Sequence, residues 1–132
     1  MTKTFAIIIF ASLIFFSACE KDSGPLIYDS ALQDTISFAR DIQPIFNANC
    51  ILCHNQYHPF LNLKDCCSWN ELLFTGASAP YVDTLSPKES YLYIRVAGTG
   101  QAPPAMPPGG PYLSSDLTAK ILRWIEQGAR NN

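Results

Sequence analysis

The feature that most constrains this chain is a C-x-x-C-H motif, in which Cys50 and Cys53 are followed directly by His54. Two thiols at this spacing can reach the two vinyl groups on one edge of a porphyrin and form thioether bonds, which places the next residue beneath the iron. The motif therefore predicts one covalently attached haem c, with His54 as an axial ligand of the iron.

The same cysteines have two other interpretations. A thioredoxin-like C-x-x-C pair lies between a strand and a helix of an α/β chain, and no such pattern surrounds this pair. A zinc site needs further ligands at paired spacing. Cys66, Cys67 and His58 could supply them, but the chain has no second C-x-x-C. Both interpretations are less favoured than haem attachment.

A second axial ligand is expected in a proline-rich stretch near the C-terminus. The chain has two methionines, and Met1 belongs to a segment that we expect to be removed. Met106 has prolines on both sides, which restrict the backbone and hold its thioether in place at low entropic cost. We predict that Met106 is the second ligand. His58 is the competing candidate, and we expect it instead near the haem edge, on the same side as His54.

The first helix is predicted from its hydrophobic periodicity. Phe38, Ile42, Ile45 and Phe46 fall at i, i+4, i+7 and i+8, which places them on one face of a helix. Pro44 lies inside this pattern and should kink the helix or keep it short.

Three further helices are predicted from their start and stop signals. One begins near Ser68, with Glu71 completing a capping box. Another begins at Ser86, which is followed by proline at the first turn, and ends at Gly98. The last begins at residue 114 or 115 and ends at Gly128. Its buried residues are expected to be Leu117, Ile121, Leu122, Trp124 and Ile125.

The predicted fold class is all-α, with about four short helices and long loops around one haem c. The chain has 132 residues, of which 48% are hydrophobic, but a core built from four such helices alone is marginal at this size. We therefore expect something other than side chains to fill the centre.

The N-terminal residues have the pattern of a targeting segment. Residues 5–16 are apolar except for Ser12, a run shorter than the roughly 20 residues that a membrane span needs. Small residues and Cys19 follow, and this ending resembles the lipobox of bacterial lipoproteins, in which the cysteine is acylated. We predict a lipoprotein signal peptide over 1–18, a flexible tether over 19–36 and one domain over 37–131. An ordinary secretory signal is the alternative, and either way the domain works outside the cytoplasm.

The mature chain resembles the small bacterial class I cytochrome c domains. The resemblance covers residues 37–131 and rests on the helix that leads into C-x-x-C-H, on the Met106 loop and on the terminal helix. It implies a cytochrome c-like fold in which the first and last helices cross near one haem edge. Phe46 and Trp124 are the implied contacts there, with Tyr91 close by. Members of the family transfer single electrons.

Histidine and methionine together fill the axial positions of the iron, which favours an electron carrier over an enzyme. We predict single-electron transfer by a cytochrome lipid-anchored at Cys19 to a bacterial membrane, on its periplasmic side or at the cell surface. Its redox partners would be a membrane dehydrogenase, an oxidase or another cytochrome. The net charge is −2 without a basic run, so nucleic acid is not an expected partner. A haem-based sensor or gas-binding domain with a labile or absent methionine ligand is the alternative. A peroxidase-like enzyme is less favoured.

Three features of the sequence leave alternatives open. The His54 imidazole should donate its second N–H to a backbone carbonyl, which we expect at Pro59 or a neighbour. Cys66 and Cys67 are adjacent and outside the motif. They could form a disulfide, stay reduced or link two chains.

The candidates for contact with the haem propionates are Trp69, Tyr91, Tyr93 and Arg95, each of which could equally be a packed aromatic or a solvated cation.

Overall fold

The computed structural model describes residues 35–99 and 105–132, and these form helices and loops without a strand. The all-α class is therefore confirmed for this part of the chain. The predicted signal peptide and most of the predicted tether, including Cys19, lie outside the described residues. Among the helices that the structure describes, none is long and apolar enough to cross a membrane.

Four helices organise the described residues, and two of them combine α-helical and π-helical turns. The first two are α1, which comprises Phe38–Ile42 in π geometry and Gln43–Asn49 in α geometry, and α2, which comprises Ser68–Asn70 in α geometry and Glu71–Thr75 in π geometry. The others are α3, Tyr91–Ala97, preceded by a 3₁₀ turn at Pro87–Glu89, and α4, Ser115–Glu126.

Helix α1 accommodates Pro44 by changing its geometry. The proline, which has no N–H to donate, is the second residue of the α-helical segment and directly follows Gln43, whose N–H donates to the Phe38 carbonyl in π geometry. The missing donor therefore coincides with the change of helical geometry. The predicted apolar face is confirmed, because its four residues are all buried, namely Phe38, Ile42, Ile45 and Phe46. Helix α1 is therefore short and presents one continuous face to the core.

Aromatic packing joins the first helix to the last. The ring centroid of Phe38 lies 5.2 Å from that of Trp124 and 6.2 Å from that of Phe46. Phe46 and Trp124 have no exposed surface, and the Trp124 indole N–H donates to the Arg130 carbonyl at 2.9 Å. This cluster packs α1 against α4 and thereby sets the position of the C-terminal end of α1 in the fold.

The capping box predicted at Ser68 is wrong. The N-cap of α2 is Cys67, which makes no side-chain cap hydrogen bond. The Ser68 hydroxyl is buried and donates to Gln43 Oε1 on α1, because a buried hydroxyl needs a partner and α1 offers one. The Glu71 carboxylate accepts instead from the Asn62 N–H at 3.4 Å.

The third predicted helix begins later than its start signal suggested. Ser86 makes no side-chain cap hydrogen bond, and the 3₁₀ turn ends at Ser90. The buried Ser90 hydroxyl accepts from the Asp83 N–H at 2.8 Å and donates to the Asp83 carbonyl, so α3 starts at Tyr91. Its end is as predicted, at Gly98 with a φ of 65°, a left-handed conformation that favours glycine.

The start of α4 and most of its core face match the sequence-based prediction. Ser114 is the N-cap and its side chain accepts from the Leu117 N–H. The buried residues of this helix are Ile121, Trp124 and Ile125, and Leu117 packs against the core while partly buried. The prediction for Leu122 is wrong, because this residue is only half-buried beside the face that Ile121 and Ile125 present to the core.

We expect Trp124→Ala to lower the free energy of unfolding by about 3–5 kcal/mol, because it removes a fully buried aromatic side chain and leaves a cavity. Leu85→Ala is the control, since Leu85 is 93% exposed and its loss should change stability by no more than about 0.5 kcal/mol. Urea denaturation of both variants measures this, and equal losses would contradict the packing described.

Candidate functional site

A cavity of about 600 Å³ brings together residues from distant parts of the chain. Cys50, Cys53 and His54 line it from the segment that follows α1, and Met106 lines it from the segment that precedes α4. Its volume lies in the range of about 300–1,000 Å³ that small-molecule and cofactor sites occupy. The structure thus places all four predicted site residues of the described chain at one cavity, and their roles as ligands stay a prediction.

The end of α1 positions the cysteine motif. The Cys50 N–H donates to the Phe46 carbonyl at 2.8 Å, and the N–H groups of Cys53 and His54 both donate to the Cys50 carbonyl, at 3.1 and 2.8 Å. This tight turn brings Cys50, Cys53 and His54 to the same cavity. Both thiols are free, with Cys50 half-buried and Cys53 exposed.

The two thiols of the motif differ in environment. Burial raises the pKa of the Cys50 thiol to about 11, and the neighbouring Cys53 adds to the shift. A desolvated thiolate is disfavoured, so Cys50 is protonated at neutral pH.

In the chain without a covalently attached group, Cys50 should react slowly with iodoacetamide. Because only the thiolate reacts, its alkylation rate should keep rising up to about pH 11. In a Cys19→Ser background, with Cys66 and Cys67 in their disulfide, single-thiol variants allow the comparison: Cys53→Ser reports on Cys50, and Cys50→Ser reports on the exposed Cys53. We expect Cys50 to be about tenfold or more slower at pH 8, and equal rates would contradict its burial.

The His54 imidazole is held by a backbone carbonyl, as predicted, but that carbonyl belongs to Leu61. Nδ1 lies 3.4 Å from the Leu61 oxygen, two residues beyond the expected Pro59. Burial lowers the pKa of His54, the nearby His58 and Arg95 lower it further, and the Leu61 carbonyl opposes them. With Nδ1–H directed at Leu61, the neutral ring has its lone pair on Nε2.

His58 contacts the backbone of the same residue, Leu61, at the neighbouring peptide group. Its ring centroid lies 4.2 Å from that of His54, and its Nδ1 accepts from the N–H groups of Phe60 and Leu61, at 3.3 and 3.2 Å. Leu61 is therefore bonded through its N–H to His58 and through its carbonyl to His54. His58 is linked to His54 through the backbone of Leu61 as well as by ring contact.

We expect His58→Ala to loosen the Leu61 peptide and His58→Asn to preserve it, because an asparagine oxygen accepts from backbone N–H groups two residues on. One lost hydrogen bond of about 1 kcal/mol corresponds to roughly fivefold faster amide exchange at Leu61. Hydrogen exchange and the ¹⁵N shifts of the His54 ring measure this. Should His58→Asn behave like His58→Ala, the acceptor role is refuted.

Met106 is attached to the end of α3. Its N–H donates to the Arg95 carbonyl at 2.7 Å, and its half-buried side chain lines the cavity together with Pro107 and Pro108. The two prolines that precede Met106 in the sequence, at 103 and 104, lie outside the described residues. Besides the two thiols, His54, His58 and Met106 are cavity residues whose nitrogen or sulfur lone pairs suit iron or another transition metal. The Nδ1 lone pair of His58 already accepts from two backbone N–H groups.

The Arg95 side chain has a partner for one of its donors and none among the described residues for its buried Nε. Its Nη1 donates to the Tyr91 hydroxyl at 3.0 Å and its Cζ lies 5.5 Å from the centre of that ring. Its Nε is buried and has no hydrogen-bond partner among the described residues. Since an unsatisfied buried donor is costly, this position suits an anionic ligand in the cavity.

The four candidates for propionate contact separate into two groups. Tyr91 and Arg95 line the cavity. The Trp69 indole donates instead to the Ala129 carbonyl at 2.8 Å, and Tyr93 packs partly buried against the core.

Tyr81 is a residue of the cavity wall that sequence reasoning missed. It is 5% exposed, its hydroxyl donates to the Phe60 carbonyl at 3.0 Å, and the same hydroxyl accepts from the Ser78 N–H at 3.1 Å. Its backbone pairs with Leu72 and Leu92. No motif or period contains Tyr81, so the sequence offered no signal for it.

Cys66 and Cys67 form a disulfide. Their sulfurs are therefore not available as thiolates, which removes the ligands on which the zinc interpretation depended. Among residues 35–99 and 105–132, no group of three or more His, Cys, Asp or Glu side chains is arranged to hold a metal ion.

Comparisons with protein-family models, with curated proteins and with solved structures found no match to this chain.

Proposed function

We propose that this chain is a single-electron carrier with one haem c in its cavity, attached through Cys50 and Cys53 and ligated by His54 and Met106. The observation that carries the proposal is the meeting of these four side chains at one cavity of about 600 Å³. The C-x-x-C-H motif and Met106 are separated by about fifty residues of sequence, so only the fold brings them together.

The residues around the cavity fit such a group. The donor set comprises two free thiols, one imidazole and one thioether, which are the groups that attach and ligate a c-type haem. Apolar side chains that suit a porphyrin face supply much of the wall, among them Phe46, Leu61, Leu63, Leu92 and Val96. The unpartnered Arg95 Nε suits a propionate carboxylate.

When bound, the haem supplies a one-electron Fe(III)/Fe(II) couple. The protein's own residues would attach and orient it. Cys50 and Cys53 would form the thioether bonds, and His54 would present Nε2 while the Leu61 carbonyl holds Nδ1–H. A hydrogen bond that a ligating imidazole donates to a second partner fixes its tautomer and raises its basicity.

The ligand set favours a carrier over a catalyst. With His54 and Met106 both bound, no coordination position is left for a substrate, so we propose no enzymatic activity. Met106 is tied to α3 through the Arg95 carbonyl at 2.7 Å, which would help to keep its thioether in place.

A cytochrome c-like fold is part of this proposal. Its support is the all-α class of the described residues and the packing of α1 against α4 through Phe38 and Trp124. The C-x-x-C-H motif directly follows α1, as the resemblance in the sequence implies.

The proposed setting is a bacterial membrane surface outside the cytoplasm. Lipid attachment at Cys19 would tether the domain and concentrate it near membrane redox partners. These partners are proposed to be a dehydrogenase, an oxidase or another cytochrome. Phe60 lines the cavity while 59% exposed, which makes its neighbourhood a candidate route for electrons to a partner.

The test uses the chain produced with haem-attachment machinery. We expect one covalent haem, lost in Cys50→Ala/Cys53→Ala, and a weak red charge-transfer band from the iron–thioether bond. Met106→Ala should abolish this band and bind carbon monoxide in the ferrous state. The control is Leu113→Ala, which changes a cavity residue without a donor atom and should keep the band.

If the unmutated chain binds carbon monoxide as readily as Met106→Ala does, the electron-carrier proposal fails and a gas-binding domain takes its place. If no haem is attached, both fail.

A further inference from the structure

The disulfide between Cys66 and Cys67 joins two residues that are neighbours in the sequence. A disulfide stabilises a fold mainly by closing a loop in the unfolded chain, and this contribution grows with the number of residues in the loop. Here no residue lies between the two cysteines, and the bond links no two elements of the fold. It therefore contributes little as a structural cross-link.

The backbone around the disulfide has hydrogen bonds of its own. The N–H groups of Cys67 and Ser68 both donate to the Lys64 carbonyl, at 3.0 and 2.9 Å, and the Glu71 N–H donates to the Cys67 carbonyl at 2.9 Å. The buried Ser68 hydroxyl adds the bond to Gln43. None of these bonds involves sulfur, so we expect the turn to persist when the disulfide is open.

The two sulfur-bearing side chains differ in access. Cys66 is exposed and Cys67 is half-buried. Both line a surface cavity of about 250 Å³, which Trp69 and Asn70 also border. Because exchange requires a thiolate to approach a disulfide sulfur, Cys66 offers the more accessible point of attack.

We propose that Cys66–Cys67 is a thiol–disulfide exchange site that takes two electrons and two protons from a dithiol reductant, such as a protein with a reduced C-x-x-C pair. One reductant thiolate attacks Cys66 Sγ and breaks the Cys66–Cys67 bond, and Cys67 leaves as a thiolate and takes a proton. The second reductant thiolate then attacks the mixed disulfide, and Cys66 leaves and takes the second proton. The reductant ends as a disulfide.

This site is separate from the proposed haem cavity, whose lining includes neither Cys66 nor Cys67. The proposal therefore does not depend on the proposed function. It gives the chain a two-electron site in addition to the proposed one-electron centre.

The chain's cleavage sites allow a direct test. Trypsin cuts after Lys64 and Lys88, so the peptide 65–88 contains Cys66 and Cys67 and no other cysteine, whereas Cys50 and Cys53 fall in the preceding peptide. The purified full chain is treated with dithiothreitol, natively and in guanidinium chloride. New thiols are labelled with a maleimide, and the labelled peptide 65–88 is followed by mass spectrometry.

We expect the native disulfide to be reduced within about threefold of the rate in denaturant, since exposed disulfides are the labile ones. Oxidised glutathione should reform it. The melting temperature of the reduced chain should fall by less than about 4 °C, the shift that a loss of 1 kcal/mol would produce. Native reduction more than a hundredfold slower than in denaturant, or a larger fall in melting temperature, would overturn the proposal.

Two single variants compare the accessibility of the two sulfurs, on which the assignment of Cys66 as the point of attack depends. Cys67→Ser leaves Cys66 as a free thiol, and Cys66→Ser leaves Cys67. With an aromatic disulfide reagent, and with the peptide 65–88 again read separately, Cys66 should form its mixed disulfide about tenfold faster than Cys67 because of its greater exposure. Equal rates, or a faster Cys67, would overturn the assignment of Cys66.

Discussion

The packing of Phe38 against Trp124 and Phe46 is the contact on which the rest of the arrangement depends. It packs α1 against α4. The cysteine motif begins directly after α1 and is joined to it by the hydrogen bond from the Cys50 N–H to the Phe46 carbonyl. The aromatic cluster thus sets the position of the thiols by way of one helical hydrogen bond. The cavity lies at this end of α1, where Phe46 and Asn49 form part of its wall.

The features that were predicted best from the sequence depend on hydrophobic periodicity and on residues that are close together in the chain. The four buried apolar positions of α1 and the Ser114 cap of α4 follow from spacing and from a cap that bonds within its own turn. The C-x-x-C-H motif is similarly local. Each of these features is determined by residues a few positions apart, so a single sequence contains the information.

The predictions that failed depend on partners that are distant in the chain. Ser68 looked like half of a capping box, but its hydroxyl bonds to Gln43, 25 residues away. The backbone carbonyl expected for His54 at Pro59 or a neighbour belongs to Leu61, whose N–H donates to the ring of His58. Tyr81 gave no local signal, since its hydroxyl reaches Phe60 at a separation of 21 residues. A buried polar group is satisfied by whatever the fold brings near it.

Both tryptophans of the chain report on the same short segment. The Trp69 indole donates to the Ala129 carbonyl and the Trp124 indole to the Arg130 carbonyl, and neither ring lines the main cavity. The tryptophan fluorescence of the molecule therefore reports on the packing of the residues after α4. Detachment of that segment would expose both indoles to water and shift the tryptophan emission to longer wavelength.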